Sequence, residues 1–188
     1  MRHTSDPELD EQIRLFGENM RTARRRAGFS QVELARAAHL DRAAIGFLER
    51  AERSPELSTL LRVARALGLE AGELLRGVGS ADRQSAPERA HRDQLADDPA
   101  VRFGAALRTA RGRARLSQQA LALRAGIDRA AISVYERGAR EPNLRTILKV
   151  ARALSLRPAS LLEGLDSVLQ QPSSGVAPLG VHCAHEVR

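Results

Sequence analysis

The sequence predicts an all-α protein of two tandem five-helix domains joined by a flexible linker, and three observations carry that prediction. First, sliding the 188-residue chain by 87 residues lays "FGENMRTARRRAGFSQVELARAAHLDRAAIGFLER", from Phe16, over "FGAALRTARGRARLSQQALALRAGIDRAAISVYER", from Phe103, without a gap. Second, Leu, Ile and Ala recur at three- and four-residue spacing in each copy, with almost none of the β-branched and aromatic alternation of strands. Third, capping residues stand at matching places before each apolar run. These divide the chain into residues 7–77 (first domain), 78–97 (linker), 98–165 (second domain) and 166–188 (a disordered tail rich in Pro, Gly and Ser).

The elements follow in order. Helix one starts at "SDPELDEQ", where Ser5 or Asp6 caps and Pro7 suits the first turn, and its counterpart starts at Asp98 and Pro99. They run to about Ala27 and Ala114. Ser30 and Ser117 precede the second helices, their hydroxyls able to accept from an orphan first-turn amide. Asp41 and Asp128 follow after only two residues, "HL" and "GI", as caps of the third helices. So short a connection forces a steep crossing, which makes the pair a helix-turn-helix. The fourth helix carries Leu57, Leu60, Leu61, Ala64 and Leu67 as a stripe that must be buried. A short last turn holds Leu74 and Leu75, or Leu161 and Leu162.

Composition narrows the class. A chain that is 43% hydrophobic can support a core, and no run of about 18 apolar residues suggests a membrane span. The start has no basic and apolar leader, so the expected location is cytoplasmic. The formal charge of +7, with a pI near 11.1, attracts polyanions. Only Lys149 is a lysine, so coding bias alone can account for much of the arginine. Position is more telling: residues 16–77 hold 11 basic and 8 acidic side chains, residues 103–164 hold 12 and 4. The basic charge sits in the repeats, mainly the second.

The order "SQ-x-x-LA-x-x-A", then Asp, Ile, "ER-G-x-R-x-P" and "L-x-x-(h)-A-x-A-L" resembles the lambda-repressor/Cro-like (XRE-type) helix-turn-helix family. The second repeat matches best, through Ser117, Gln118, Leu121, Ala122, Asp128, Ile132, Tyr135, Glu136, Arg137, Gly138, Arg140 and Pro142. The resemblance covers about two thirds of the chain. It implies a DNA-binding transcriptional regulator, more a repressor or dual regulator than a dedicated activator, whose third helix lies in the major groove of double-stranded DNA.

Periodicity then sorts the third helices. Ile45 and Leu48, like Ile132 and Tyr135, face inward; Arg42, Ala43, Gly46 and Phe47, like Arg129, Ala130, Ser133 and Val134, face outward. Arg42 and Arg129 are the candidate base readers, because a guanidinium bonds guanine O6 and N7 together; a phosphate contact is the alternative. Ala43 and Ala130 let the backbone approach a thymine methyl, or serve helix propensity alone. The resemblance puts Gln31 and Gln118 on the DNA backbone. Arg50, Arg53, Arg137 and Arg140, around the end of the third helix, are expected to contact phosphate. It also makes Arg24–Glu49 and Arg111–Glu136 structural ion pairs.

The repeats are unequal. Gly138 suits a left-handed turn where the first copy has Ala51, and Gly46 weakens the first copy's third helix. The second repeat is therefore expected to supply most of the DNA affinity. The polar stretch "VGSADRQSAPERAHRDQLADDPA", the linker together with the start of the next helix, would span about 26 Å as a flexible chain and let both copies bind without choosing inverted or direct half-sites. The rival reading is a protein-interaction module, such as an antitoxin or anti-repressor subunit, and self-association or a protein partner stays open. No membrane partner, small-molecule ligand, cofactor, metal or catalytic residue is expected. "HCAH" at residues 182–185 lacks a fourth ligand, and no nucleophile has a base. The single Cys183 can make no internal disulfide.

Overall fold

The computed structural model describes residues 6–79 and 98–165. Ser5, residues 80–97 of the expected linker, and the tail from residue 166, with Cys183 and "HCAH", lie outside the described residues. Five helices form the first unit: α1 (Pro7–Arg26), α2 (Gln31–Ala37), α3 (Arg42–Glu49), α4 (Leu57–Ala66) and α5 (Ala71–Leu74). The second has α6 (Pro99–Arg113), α7 (Gln118–Ala125), α8 (Arg129–Glu136), α9 (Leu144–Ala153) and a closing 3-10 turn, Pro158–Leu161. The fold is all-α in two units, as the sequence predicts. Val78, where the linker was expected to begin, is buried.

Capping follows the sequence closely. The Asp6 carboxylate accepts from Leu9 N at 3.3 Å and Asp98 from Ala100 N at 2.8 Å, each beside a first-turn proline. Ser30 accepts from Glu33 N, and Glu33 returns a bond to Ser30 N, closing a capping box. Ser117 accepts from Ala120 N at 3.0 Å. One cap differs from expectation: Asp128 accepts from Ala130 N at 2.9 Å, but Asp41, though in the capping position, makes no side-chain bond to its helix.

In each unit the first helix holds the third at close range through a glycine. A Cβ on Gly17 would fall 2.7 Å from Leu48 O, and one on Gly104 would fall 2.4 Å from Tyr135 O. Only a residue without Cβ lets these backbones meet. The "FG" that starts the repeat is thus a packing signal, with Phe16 and Phe103 buried beside it.

The two units are docked on each other. Leu57 N donates to Pro142 O at 3.0 Å and Leu144 N donates to Pro55 O at 2.7 Å. Both partners of one bond lie 87 residues from their counterparts in the other, so the exchange is reciprocal, as across a two-fold axis. Glu56 and Asn143, also counterparts, form the antiparallel bridge between these bonds. Flanking it, Ser58 N donates to the Glu141 carboxylate and Arg145 N donates to Ser54 Oγ, again at corresponding positions. Gly72 of α5 lies against Ala159 of the 3-10 turn, its own counterpart, which puts this pair on the axis. The buried side chains of both units form one continuous apolar cluster.

The symmetry is broken at one end. Helix α1 has 20 residues and α6 has 15, and their last residues correspond, so the five extra residues all stand at the start of α1. That extension buries Leu9 and reaches α9, where Arg145 pairs with Asp10 at 2.5 Å and Arg152 with Asp6 at 2.8 Å and Glu8 at 3.3 Å.

Candidate nucleic-acid interface

Helices α2 and α3, and α7 and α8, are joined through a left-handed residue, His39 (φ 52°) or Gly126 (φ 60°). Leu40 N closes the first turn on Ala35 O at 2.8 Å, and Ile127 N closes the second on Ala122 O at 3.0 Å. The third helices are anchored from below by Ile45 and Leu48, and by Ile132 and Tyr135, all buried as the periodicity requires.

Their far ends are fixed by a charged clamp. Arg24 Nε donates to Glu49 Oε1 at 2.6 Å and its Nη1 to Phe29 O at 2.7 Å, while Gln31 Nε2 donates to Glu49 Oε2 at 2.8 Å. In the second unit Arg111 Nε reaches Glu136 Oε1 at 2.5 Å, its Nη1 reaches Leu116 O at 2.9 Å, and Gln118 Nε2 reaches Glu136 Oε2 at 2.8 Å. Both glutamates are 4% exposed. Burial pushes their carboxyls up, but the bonds from arginine and glutamine, with the nearby guanidinium charges, outweigh it and hold both below the usual carboxylate range. The clamp therefore ties the first, second and third helices of each unit at one point. It also commits part of the amide of Gln31 and Gln118, expected on phosphate, to an internal partner.

The outward faces differ between the units. Arg42 and Ala43, and Arg129 and Ala130, are exposed in the first turn of α3 and α8, and neither arginine has a bonded partner among the described residues. Beyond that turn the copies diverge. Gly46 does not present an open face: it is buried because Arg50 folds over it, Nη1 lying 3.0 Å from where a Cβ would stand. Phe47 is half-buried, with the guanidiniums of Arg50 and Arg53 at 5.5 and 5.4 Å from its ring. Arg50 is further held by Glu52 at 2.5 Å, which raises the arginine pKa. In the second unit Ser133 and Val134 are half-buried, Arg137 donates to Ser133 Oγ, and Arg140 is exposed and unpaired among the described residues. Ala139 stands where the first unit has Glu52.

The docking contacts escaped sequence reasoning. Their only signal is the likeness of "SPELS" and "EPNLR" ahead of α4 and α9, which shows that both segments are kept but not that they pair. Among the described residues no helix is long and apolar enough to cross a membrane, and no cluster of His, Cys, Asp and Glu could hold a metal.

A helix-turn-helix family profile matches residues 20–74 and again 107–161, together more than half the chain. The chain is 38% identical over 72 residues to an uncharacterised HTH-type transcriptional regulator of Sinorhizobium fredii, across 36% of this chain and 37% of that one. It therefore spans little more than a third of that relative. It is 39% identical over 70 residues to the control protein C.SmaI of Serratia marcescens, across 37% of this chain and 83% of that one. The crystal structure of the restriction-modification controller protein C.AhdI of Aeromonas hydrophila is 44% identical over 33% of this chain and 94% of its own, with a TM-score of 0.33.

Proposed function

Since the chain belongs to the XRE-type helix-turn-helix family, twice over in tandem, we propose that it is a sequence-specific regulator of transcription that docks α3 and α8 in the major groove of double-stranded DNA. The observation that carries this is the pair of unpartnered arginines, Arg42 and Arg129, each exposed beside a small alanine in the first turn of a rigidly clamped third helix. Arg42, Ala43 and Phe47, with Arg129, Ala130, Ser133 and Val134, form the base-facing surface, while Gly46, expected there, lies under Arg50. Gln31, Arg50, Arg53, Gln118, Arg137 and Arg140 hold phosphates. Occupying a promoter in this way blocks polymerase, so repression is the expected sign. The second unit supplies the larger share of affinity: it carries more basic charge, and its Arg140 is exposed with no ion pair and no ring contact among the described residues, whereas Arg53 lies over the Phe47 ring.

Separately expressed halves cannot rank the units, because each would expose its share of the joint core. The test keeps the full chain. Duplexes selected from a random pool define the site, and Arg129→Ala is then compared with Arg42→Ala. Relaxed preference at one base pair supports base reading, with a loss of about 1–3 kcal/mol; equal weakening on all sequences makes that arginine a phosphate contact.

A further inference from the structure

We infer, building on the proposed DNA reading, that one molecule of this chain reads two inverted half-sites of unequal sequence, and so lies on its operator in one fixed orientation. The inversion follows from the docking. The reciprocal bonds Leu57–Pro142 and Leu144–Pro55, the Glu56–Asn143 bridge and the on-axis pair Gly72–Ala159 relate the units by an approximate two-fold axis. Two recognition helices related by such an axis meet a duplex in inverted orientation, which a flexible tether alone would leave undetermined. Both recognition helices related by this axis belong to one chain, so the expected stoichiometry is one chain per operator.

The inequality follows from the reading faces. The two helices share Arg42/Arg129 and Ala43/Ala130, so the half-sites share the step those residues touch. Past it, the first unit offers the Phe47 ring flanked by Arg50 and Arg53, with Gly46 covered. The second offers the Ser133 hydroxyl, bonded by Arg137, and the Val134 methyls. An aromatic face and a small hydroxyl select different base edges. A homodimer has identical readers and no preferred direction; covalent fusion of two diverged readers supplies one.

The experiment selects duplexes from a random pool with the full chain. It then compares the selected site with the two palindromes made by duplicating either half, and measures stoichiometry by sedimentation. The composite site should bind one chain, about tenfold more tightly than either palindrome, since each mismatched base pair weakens binding several-fold or more. A second arm uses the double variant Gly46→Ser, Phe47→Val, which gives α3 the outward residues of α8. The atoms nearest a Cβ at residue 46 are the movable end of Arg50, so the fold should persist, checked by cooperative thermal unfolding close to that of the parent. The variant should prefer the palindrome of the second unit's half-site by about tenfold, the reverse of the parent. Symmetric palindromes or direct repeats as the parent's best sites, or two chains per site, would overturn the inference while leaving DNA recognition intact. No preference for any duplex over random sequence would overturn both.

Discussion

Two glycines of one helix should respond oppositely to alanine. Gly104 and Gly112 both lie in α6, where glycine costs about 0.5–1 kcal/mol relative to Ala through lost backbone freedom. At Gly112 an added Cβ meets nothing within 4 Å, so Gly112→Ala should stabilise by about 0.5 kcal/mol, the lower end applying near a helix terminus. At Gly104 the same methyl lands 2.4 Å from Tyr135 O and 3.0 Å from Glu136 C, against 3.4–4 Å for an ordinary contact. The obstacle is backbone, so α6 and α8 must separate. Overpacking of this kind costs about 1–3 kcal/mol, and the immovable neighbour puts it at the upper end. Net of the helix gain, Gly104→Ala should destabilise by about 2 kcal/mol, lowering Tm by about 4–8 °C, while Gly112→Ala raises it by about 1–2 °C. Urea and thermal unfolding read both values. Because α8 is the element displaced, Gly104→Ala should also weaken operator binding at temperatures where the chain stays folded. Equal effects of the two substitutions, or stabilisation by Gly104→Ala, would refute the close approach.

Four further substitutions have expected outcomes. Ala51 sits at φ 59° where its counterpart Gly138 has φ 68°, so Ala51→Gly should stabilise by about 0.5–1 kcal/mol in urea unfolding. Gly138→Ala should cost about 3 kcal/mol, because its Cβ would also fall 2.5 Å from Val101 Cα. Glu49 and Glu136 have carboxyls lowered on folding from the ordinary 4.5; their contribution is full above that pH and is lost as pH falls through the lower native values. Glu136→Gln, which strands Arg111, should cost about 3 kcal/mol at pH 7 and make the acid limb of a stability–pH curve shallower; an unchanged limb would count against the clamp. Arg140→Ala should weaken binding alike on all duplexes and reduce the slope of log affinity against log salt by about 1, measured by fluorescence anisotropy.

Much of the fold was legible because it is locally encoded. Ser30, Ser117 and Asp128 cap helices through atoms two or three residues away, and the leucine stripes of α4 and α9 declare which face is buried. Duplication helped, since every motif was stated twice. The Arg–Glu clamp was legible only through family resemblance, because its partners stand 25 residues apart. What misled was reading each position by its own residue type. Asp41 has the chemistry of a cap but no bond, and Gly46 faces outward by periodicity yet is covered by Arg50, since a long side chain on the next turn folds back over a missing Cβ.

Two helical units, their cores, most of their caps and the third helices with exposed arginines follow from the order of residues alone, because these depend on spacings of two to four residues. Tertiary structure alone decided that the units share one core and face each other across an approximate two-fold axis. That relation rests on bonds such as Leu57 N to Pro142 O, between main-chain atoms 85 residues apart, and backbone amides and carbonyls carry no residue-specific mark that a sequence could display.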